Sequence, residues 1–571
     1  MNFEDLKNKL NDVDCVSFDV FDTAILRPFM DPKDLFDYIG EMNDISDFRK
    51  KRVTAEKDCR KSRKREITLD EIYSCLDEDL LFMKEKEIAT EIRLSLANPE
   101  IMKIYRNVLQ SGKRIVFISD MYLPAGVLDS MLRKNGYDDY TLYVSSEYDL
   151  CKYDGSMYQY VLKDLDIEAK RLLHIGDNLH SDLKIPQRMG IKAIRYILPR
   201  EQYFSSHHRE HRCYRRNRSL GSSVIIAMDM LKWLKKEHEE DYWYNVGYRF
   251  GGPVSSFFVN NMMSVMTEST DMIFFISRDG YNLERIYKIL CSDPIEERYV
   301  YSSRFFSVIF GNIIDDSSYA RIIFDHFQDD SNIVALCPEK DSSNNKYIKA
   351  FNENKDIFIP LLNEEREKFI RYVRRMAGDA SNILVVDATT MKYSSQRLLQ
   401  GALDNDVKTI GYYYHTMAKS DLEYIAYRDC SHNFFNWTYV NIVEFLLSSP
   451  EYPIRDISDD GLPIYMDNVS EDEIHRVKIY DDVTRGEEDY ANDLKRIFGD
   501  DIPELSSGTV TEWLRVLVDL SRRTGDEFSK MRWAADAEHY VYHGLIFRPS
   551  DLIFVIKVNI GEKFWKIKNK G

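Results

Sequence analysis

No stretch of this 571-residue chain approaches the roughly 20 consecutive apolar residues that a membrane-spanning helix needs. The first residues, MNFEDLKNKLNDVD, are charged and lack the apolar core of a secretory leader. Cysteine is sparse and scattered, at Cys15, Cys59, Cys75, Cys151, Cys213, Cys291, Cys337 and Cys430. No two of these form a CxxC pair or a metal-ligand spacing, so the expectation is free thiols in a reducing compartment. A basic excess is also missing. The formal net charge is -17, which argues against general nucleic-acid binding, because a duplex attracts a basic surface. There is no Walker loop, no GxGxxG, no HExxH and no nucleophile elbow. These absences predict a cytoplasmic protein with no transmembrane segment, and exclude the commonest nucleotide-binding loops, zinc proteases and serine hydrolases.

What is present is ordinary globular composition, 44% apolar and 30% charged. The length exceeds what one core serves, so at least two domains are expected. Over the first 200 residues, CVSFDV, RIVFIS (114–119), TLYVSS (141–146), RLLHIGD (171–177) and IKAIRYI (191–197) are short apolar runs separated by helical stretches. Such alternation predicts an α/β parallel sheet. Residues 31–100 break the rhythm and read as helical throughout, with Thr68-Leu-Asp-Glu71 as a capping box. The resulting division is a first domain at 1–200 with a helical insertion at about 28–100, a basic linker at 201–222 (or a solvated helix, with a phosphate or lipid contact as the alternative), and a second α/β domain at 223–571 whose last part is mostly helical.

Four signals in the first domain fall where a parallel sheet presents its strand ends to one crevice. They are Asp19 with Phe21, Asp22 and Thr23 after the first strand, Ser119 ending the second, Lys152 in CKYDGS, and Gly176-Asp177-Asn178 with Ser181 and Asp182 after LLHI. A carboxylate at Asp19 can attack phosphorus and form an aspartyl-phosphate. Two anions then meet, so a cation is required, and Asp19, Asp177 and Asp182 offer hard oxygen ligands suited to Mg²⁺. Ser119 and Lys152 can hold the transferring phosphoryl oxygens.

Taken together, the four motifs resemble those of the haloacid dehalogenase (HAD) superfamily, over about residues 10–200. That resemblance implies a Rossmann-like core with a helical cap, Asp19 as nucleophile, and a Mg²⁺ site formed by Asp19, the Phe21 backbone carbonyl, Asp177 and Asp182. Its partner would be a phosphorylated small molecule. SFDVFDTAILRP, SDMYLP, HIGDN and the later FISRDGY and YSSR are also similar to large two-domain HAD proteins of bacterial surface-polysaccharide gene clusters, which implies a sugar phosphate or nucleotide sugar. One position departs from the pattern. HAD phosphatases carry an acid/base Asp two residues after the nucleophile, and here that residue is Phe21. Asp22, one further on, is expected to satisfy the turn. Several readings accommodate Phe21: a leaving group that needs no proton, an acid from the cap or the second domain, or phosphoryl transfer or binding without fast turnover. A carbon–halogen hydrolase also places an aromatic residue there, but the intact GDN…SD loop implies a metal that such enzymes do not need.

In the second domain, Arg278-Asp279-Gly280-Tyr281 follows MIFFIS and Asp387-Ala-Thr-Thr390 follows ILVV. Arg278 and Arg304 could grip an anion, and Asp279 and Asp387 could bind hydroxyls or a cation; equally, Arg278 and Asp279 could pair with neighbours while Gly280 permits a turn. His415, Asn436 and Glu444 are further polar candidates, and the YYYH run reads as core or as a sugar site. Two functions stay in play: a HAD-type hydrolase or phosphotransferase, or an inactive HAD module beside a C-terminal glycosyl- or phosphoglycosyl-transferase. Neither substrate nor oligomeric state is named by these motifs.

Overall fold

Strands buried on both faces read as continuous apolar runs, and the five runs of the first 200 residues form one parallel sheet. They are β1 (Cys15–Phe18), β2 (Arg114–Ser119), β3 (Thr141–Val144), β4 (Leu172–Gly176) and β5 (Lys192–Arg195), in the order β3-β2-β1-β4-β5. The chain steps outward from β1 to β3, then returns to β4 on the other side of β1. A doubly wound sheet opens a crevice at such a reversal, here at the carboxyl ends of β1 and β4. The computed structural model describes residues 10–63, 65–238, 241–311, 317–339, 343–390, 392–430, 437–467, 469–533 and 543–546.

Between Leu26 and Leu96 lie four α-helices: α1 (Asp34–Met42), α2 (Phe48–Arg63), α3 (Leu69–Tyr73) and α4 (Met83–Leu94). A two-residue antiparallel pair, Ile25–Leu26 with Leu96–Ala97, closes the block where the chain leaves and re-enters the sheet. Thr68 caps α3 through a reciprocal box, its Oγ1 accepting from Glu71 N while Glu71 Oε2 accepts from Thr68 N. Buried charges hold the block, which is tolerable because they are fully paired. Arg52 donates twice to Glu87, at 2.7 and 2.8 Å, and Arg27 twice to Glu91, at 2.8 and 2.6 Å. The Arg52 guanidinium also lies 4.8 Å from the ring of Tyr122, in the loop that follows β2. Across β1 and β2, α5 (Ser156–Asp164) supplies Met157, Tyr158 and Val161 to a core with Cys15, Val116, Ile118 and Leu172.

The expected linker is instead packed structure. Residues of 199–235 form α6 (Pro199–Ser206), α7 (His208–Arg216) and α8 (Leu220–Lys235), and the first compact unit comprises Met1–Glu237 with Arg496–Pro503. Arg212, Arg215 and Arg216 are exposed while Tyr203, Cys213 and Tyr214 are buried, and Ser223 Oγ on α8 accepts from Met30 N at 2.8 Å. Charge along one helix face hid an amphipathic segment.

The second unit comprises His238–Lys495 with Glu504–Gly571. It has its own parallel sheet, β6 (Met272–Ile276), β7 (Glu296–Val300), β8 (Asn382–Thr390), β9 (Lys408–Thr416) and β10 (Tyr424–Asp429), in the order β10-β9-β8-β6-β7. It too is doubly wound, with the reversal between β6 and β8. Helices α9 (Gly280–Leu290), α10 (Ser394–Ala402), α11 (Trp437–Leu446) and α12 (Glu471–Phe498) follow in sequence, and Ser507–Thr524 continues the expected helical end. No helix among the described residues is long and apolar enough to cross a membrane.

Candidate active site

β1 delivers Asp19 to the crevice. The strand is buried, and the Asp19 N–H donates to Ile175 O of β4 at 2.9 Å, which seats the residue at the reversal between the two strands. The chain then turns sharply. Ile25 N donates to Val20 O and Asp22 N to Ile25 O, at 2.8 and 2.9 Å, with Asp22 at φ 57°. Neither bond uses the Phe21 carbonyl. Asp22 thus serves the turn through its backbone, while its carboxylate bears electrostatically on Asp177 and Arg27. The half-buried Phe21 ring lies under the Arg27 guanidinium, 4.5 Å from the ring centroid. Ser119 is buried at the end of β2, beside β1.

Lys152 reaches the crevice from the loop before α5 and is 3% exposed. Its Nζ lies 2.5 Å from Asp19 Oδ1 and 2.7 Å from Asp182 Oδ1. The loop is fixed by Asp120, both of whose carboxylate oxygens accept from Lys152 N, at 2.8 and 3.0 Å. Sequence reasoning passed over Asp120, although it stands in the quoted SDMYLP.

After β4, Asn178 Oδ1 accepts from His180 N and Ser181 N at 2.9 and 3.1 Å, which starts the helical turn 179–184. That turn brings Asp182 back onto the strand end, where Oδ2 accepts from Asn178 N at 2.9 Å. The approach is close enough to demand glycine at 176. A Cβ there would lie 2.6 Å from the Asp182 carboxyl carbon. Gly176→Ala is therefore expected to push Asp182 away at a cost of about 1–3 kcal/mol, read as a lower thermal midpoint; an unchanged midpoint would refute the packing argument.

Asp19, Asp177 and Asp182 each offer an oxygen within 4.8 Å of the others. Octahedral Mg²⁺ with ligands at about 2.1 Å places them about 3–4 Å apart, so the donor set fits the ion after a small closure. Electrostatics agree with a site built for added positive charge. Burial pushes the Asp19 carboxyl well up, Lys152 draws it back, and the Asp182 and Asp177 charges raise it again. Burial also raises Asp182, but Lys152 and His174 overcome this and hold it low. Lys152 stays charged: burial opposes the charge, and Asp182 and Asp19 outweigh burial. Asp177 is raised to about 6 by burial and by the Asp182 and Asp22 charges.

A carboxyl raised in the folded state adds stability below the unfolded aspartate's ordinary pKa, and that stability is lost as pH climbs through the folded value. Metal-free wild-type protein should therefore lose stability relative to Asp177→Asn between pH 4 and about 6. Thermal midpoints of the two proteins across that range check this; a constant offset would contradict it.

In the second unit, Asp279 follows β6 and Asp387 lies within β8, the two strands at the reversal. Burial raises Asp279 well above the aspartate range, with Asp387 and Glu444 adding to it and Arg278 and Arg476 opposing. Burial raises Asp387 to about 6 against hydrogen bonds from Ser395 Oγ and Ala388 N. Arg278, expected to grip an anion, donates to Glu473 Oε1 at 2.7 Å, and Arg476 donates to the same oxygen at 2.6 Å. Gly280 is needed for close packing, since its Cβ would meet the Phe275 carbonyl carbon at 2.6 Å. Arg304 begins the helix Arg304–Gly311. His415 is buried in β9 and held neutral, its pKa lowered to about 3 by burial and by Arg428. Tyr412, Tyr413 and Tyr414 are core. Asn436 lies outside the described residues.

The first unit is thus a doubly wound α/β fold with a helical insertion after β1 and with acids and a lysine gathered at its carboxyl edge. No family model matches the chain, and no curated protein matches it. Among solved structures, it is similar to a haloacid dehalogenase-like family hydrolase from Xanthomonas campestris, at 14% identity over 33% of this chain and 82% of that one, with a TM-score of 0.27. A HAD family enzyme, bt-2542 from Bacteroides thetaiotaomicron, in complex with magnesium and inorganic phosphate, is 13% identical over 33% of this chain and 95% of its own, with a TM-score of 0.25. A predicted phosphoglycolate phosphatase from Haemophilus somnus is 13% identical over 32% and 83%, with a TM-score of 0.23.

Proposed function

We propose that the first unit is a Mg²⁺-dependent HAD-type phosphatase or phosphotransferase acting on a phosphorylated small molecule. The observation that carries this reading is the buried Lys152 ammonium held between Asp19 and Asp182, with Asp177 alongside. An Asp19 oxygen attacks phosphorus, the bond from phosphorus to the leaving oxygen breaks, and that oxygen departs with the electron pair. Water, or an acceptor hydroxyl, then cleaves the aspartyl-phosphate and restores Asp19. Lys152 and Ser119 hold the phosphoryl oxygens. Asp19, the Phe21 carbonyl, Asp177 and Asp182 would hold Mg²⁺, which supplies the positive charge that keeps Asp19 ionised beside an anionic substrate. The helical block 28–100 acts as the cap.

Phe21 offers no proton to the leaving group, and a missing general acid costs about 10²–10⁴-fold in rate. Substrates whose leaving group departs readily as an anion fit such a site, as nucleotide sugars and other phosphoanhydrides do. Surface-polysaccharide synthesis in a bacterial cytoplasm is the setting proposed, and eight free cysteines suit a reducing compartment. A second reading, favoured by the Asp279–Asp387 pair at the reversal of the second sheet, makes the second unit a transferase and the first a ligand-binding module. The test is phosphate release from a panel of sugar phosphates, nucleotides and p-nitrophenyl phosphate, with and without Mg²⁺. Metal-dependent release supports the first reading. Release indistinguishable from that of Asp19→Asn across the panel sinks it and leaves the second.

A further inference from the structure

His174 stands inside β4, fully buried, and neither the sequence motifs nor the proposed chemistry uses it. It pairs in register with Ser17 of β1. Its Nδ1 lies 2.8 Å from Ser17 Oγ and its Nε2 3.2 Å from Asp182 Oδ1. The edge of the Tyr158 ring closes over the imidazole at 5.2 Å, and Tyr158 Oη donates to Ser181 O at 2.9 Å, next to Asp182. A chain of contacts therefore runs from inside the sheet to the crevice: Ser17, His174, Asp182, Lys152, Asp19.

The protons on this chain follow from the acceptors. Asp182 is a carboxylate that already accepts from Lys152 and Asn178 N, so the imidazole nitrogen facing it carries hydrogen. Nδ1 is then the acceptor, and the Ser17 hydroxyl donates to it. The alternative acceptor for that hydroxyl, Leu173 O, is 3.5 Å away. Ser17 thus selects the tautomer with hydrogen on Nε2, as the outer partner of a ligating group commonly does.

The geometry points to His174 as a positioning residue that fixes the Asp182 carboxylate for cation binding, with Ser17 setting its tautomer. The inference rests on the metal-site reading above. Asp182 Oδ2 is pinned by Asn178 N and Oδ1 by Lys152, both outside the sheet; His174 ties the same carboxylate to the buried interior of the sheet. Removing an outer partner of this kind weakens metal binding by about 10–100-fold in other sites.

The experiment uses the full chain, with Mg²⁺ alone as the probe and no substrate. Calorimetric Kd values are compared for wild type, His174→Leu, His174→Gln and Ser17→Ala, alongside ¹⁵N spectra of histidine-labelled, metal-free protein. The expected result is the Nε2–H tautomer in the wild type, a Kd weakened about 10-fold or more in His174→Leu, and recovery to within about 3-fold in His174→Gln, whose amide N–H can replace Nε2–H. A purely structural histidine would lower the thermal midpoint and leave the Kd unmoved. A folded His174→Leu that binds Mg²⁺ like the wild type overturns the proposal, as does a wild type in the Nδ1–H tautomer. Should His174→Leu fail to fold, Ser17→Ala decides: a mixed tautomer with a weaker Kd supports the proposal, and an unchanged Kd overturns it. Wild-type protein that binds no Mg²⁺ overturns the metal site itself, a distinct failure.

Discussion

Asp19→Asn should reduce Mg²⁺-dependent phosphate release by at least about 10⁴-fold, the scale on which removing a nucleophile acts. The amide keeps the shape of the side chain and can still accept one hydrogen bond, so the fold of the strand end is preserved. It loses the second oxygen and the charge. Both matter here, because Asp19 is half of a pair of carboxylates that share the Lys152 ammonium, 2.5 Å from Asp19 Oδ1. The variant should also be no less stable than the wild type without metal. Burial pushes the Asp19 carboxyl well above the aspartate range, so replacing a carboxyl that resists ionising with a neutral amide relieves repulsion with Asp182 and Asp177. A variant that loses activity and keeps or gains thermal stability is the signature of a reacting group. Retained phosphate release in Asp19→Asn would move the chemistry elsewhere in the chain.

The five strands of the first sheet were legible because each is a short, mostly apolar run set between helical stretches. The motif acids were legible for a related reason: an Asp directly after such a run stands out. Residues whose role depends on a partner far along the chain were not. His174 in LLHIG looks like a core histidine until Ser17, 157 positions earlier, is placed beside it. Arg278 looked free to take an anion, yet Glu473, 195 positions later, already holds it. The edge strand Tyr424–Asp429 is half-buried up to its exposed last residue and mixes polar with apolar residues, so it offered no strong pattern. Residues 201–222 read as a linker or a solvated helix because their arginines and histidines dominate the composition. Only the periodicity of Tyr203, Cys213 and Tyr214 could have revealed a buried face.

Lys152→Met should destabilise the first unit, without metal at pH 7.5, by about 3–5 kcal/mol, the usual cost of leaving a buried charge without its partner. Methionine nearly fills the space of the lysine stem, so packing is conserved and the change isolates the ammonium. That ammonium touches Asp19 and Asp182, and Asp120 lies close enough to bear on it. The loss should depend on pH in a definite direction. Asp182 is held low in the folded protein, largely by Lys152 and His174, so the stability it contributes is present above the unfolded aspartate's pKa and is lost as pH falls through its folded value. Without Lys152 that depression shrinks to the part His174 supplies. The gap between wild type and variant is then wide at pH 7.5 and narrow near pH 4, where the carboxyls take up protons. Mg²⁺ should narrow it at pH 7.5 as well, since a divalent cation restores part of the missing positive charge. Hydrogen exchange of the peptides containing β1 and β4 measures this within the first unit alone, free of the second unit's unfolding. Exchange rates that match the wild type at pH 7.5 would mean that the carboxylates do not depend on Lys152, and the electrostatic account of the crevice would fall with that result.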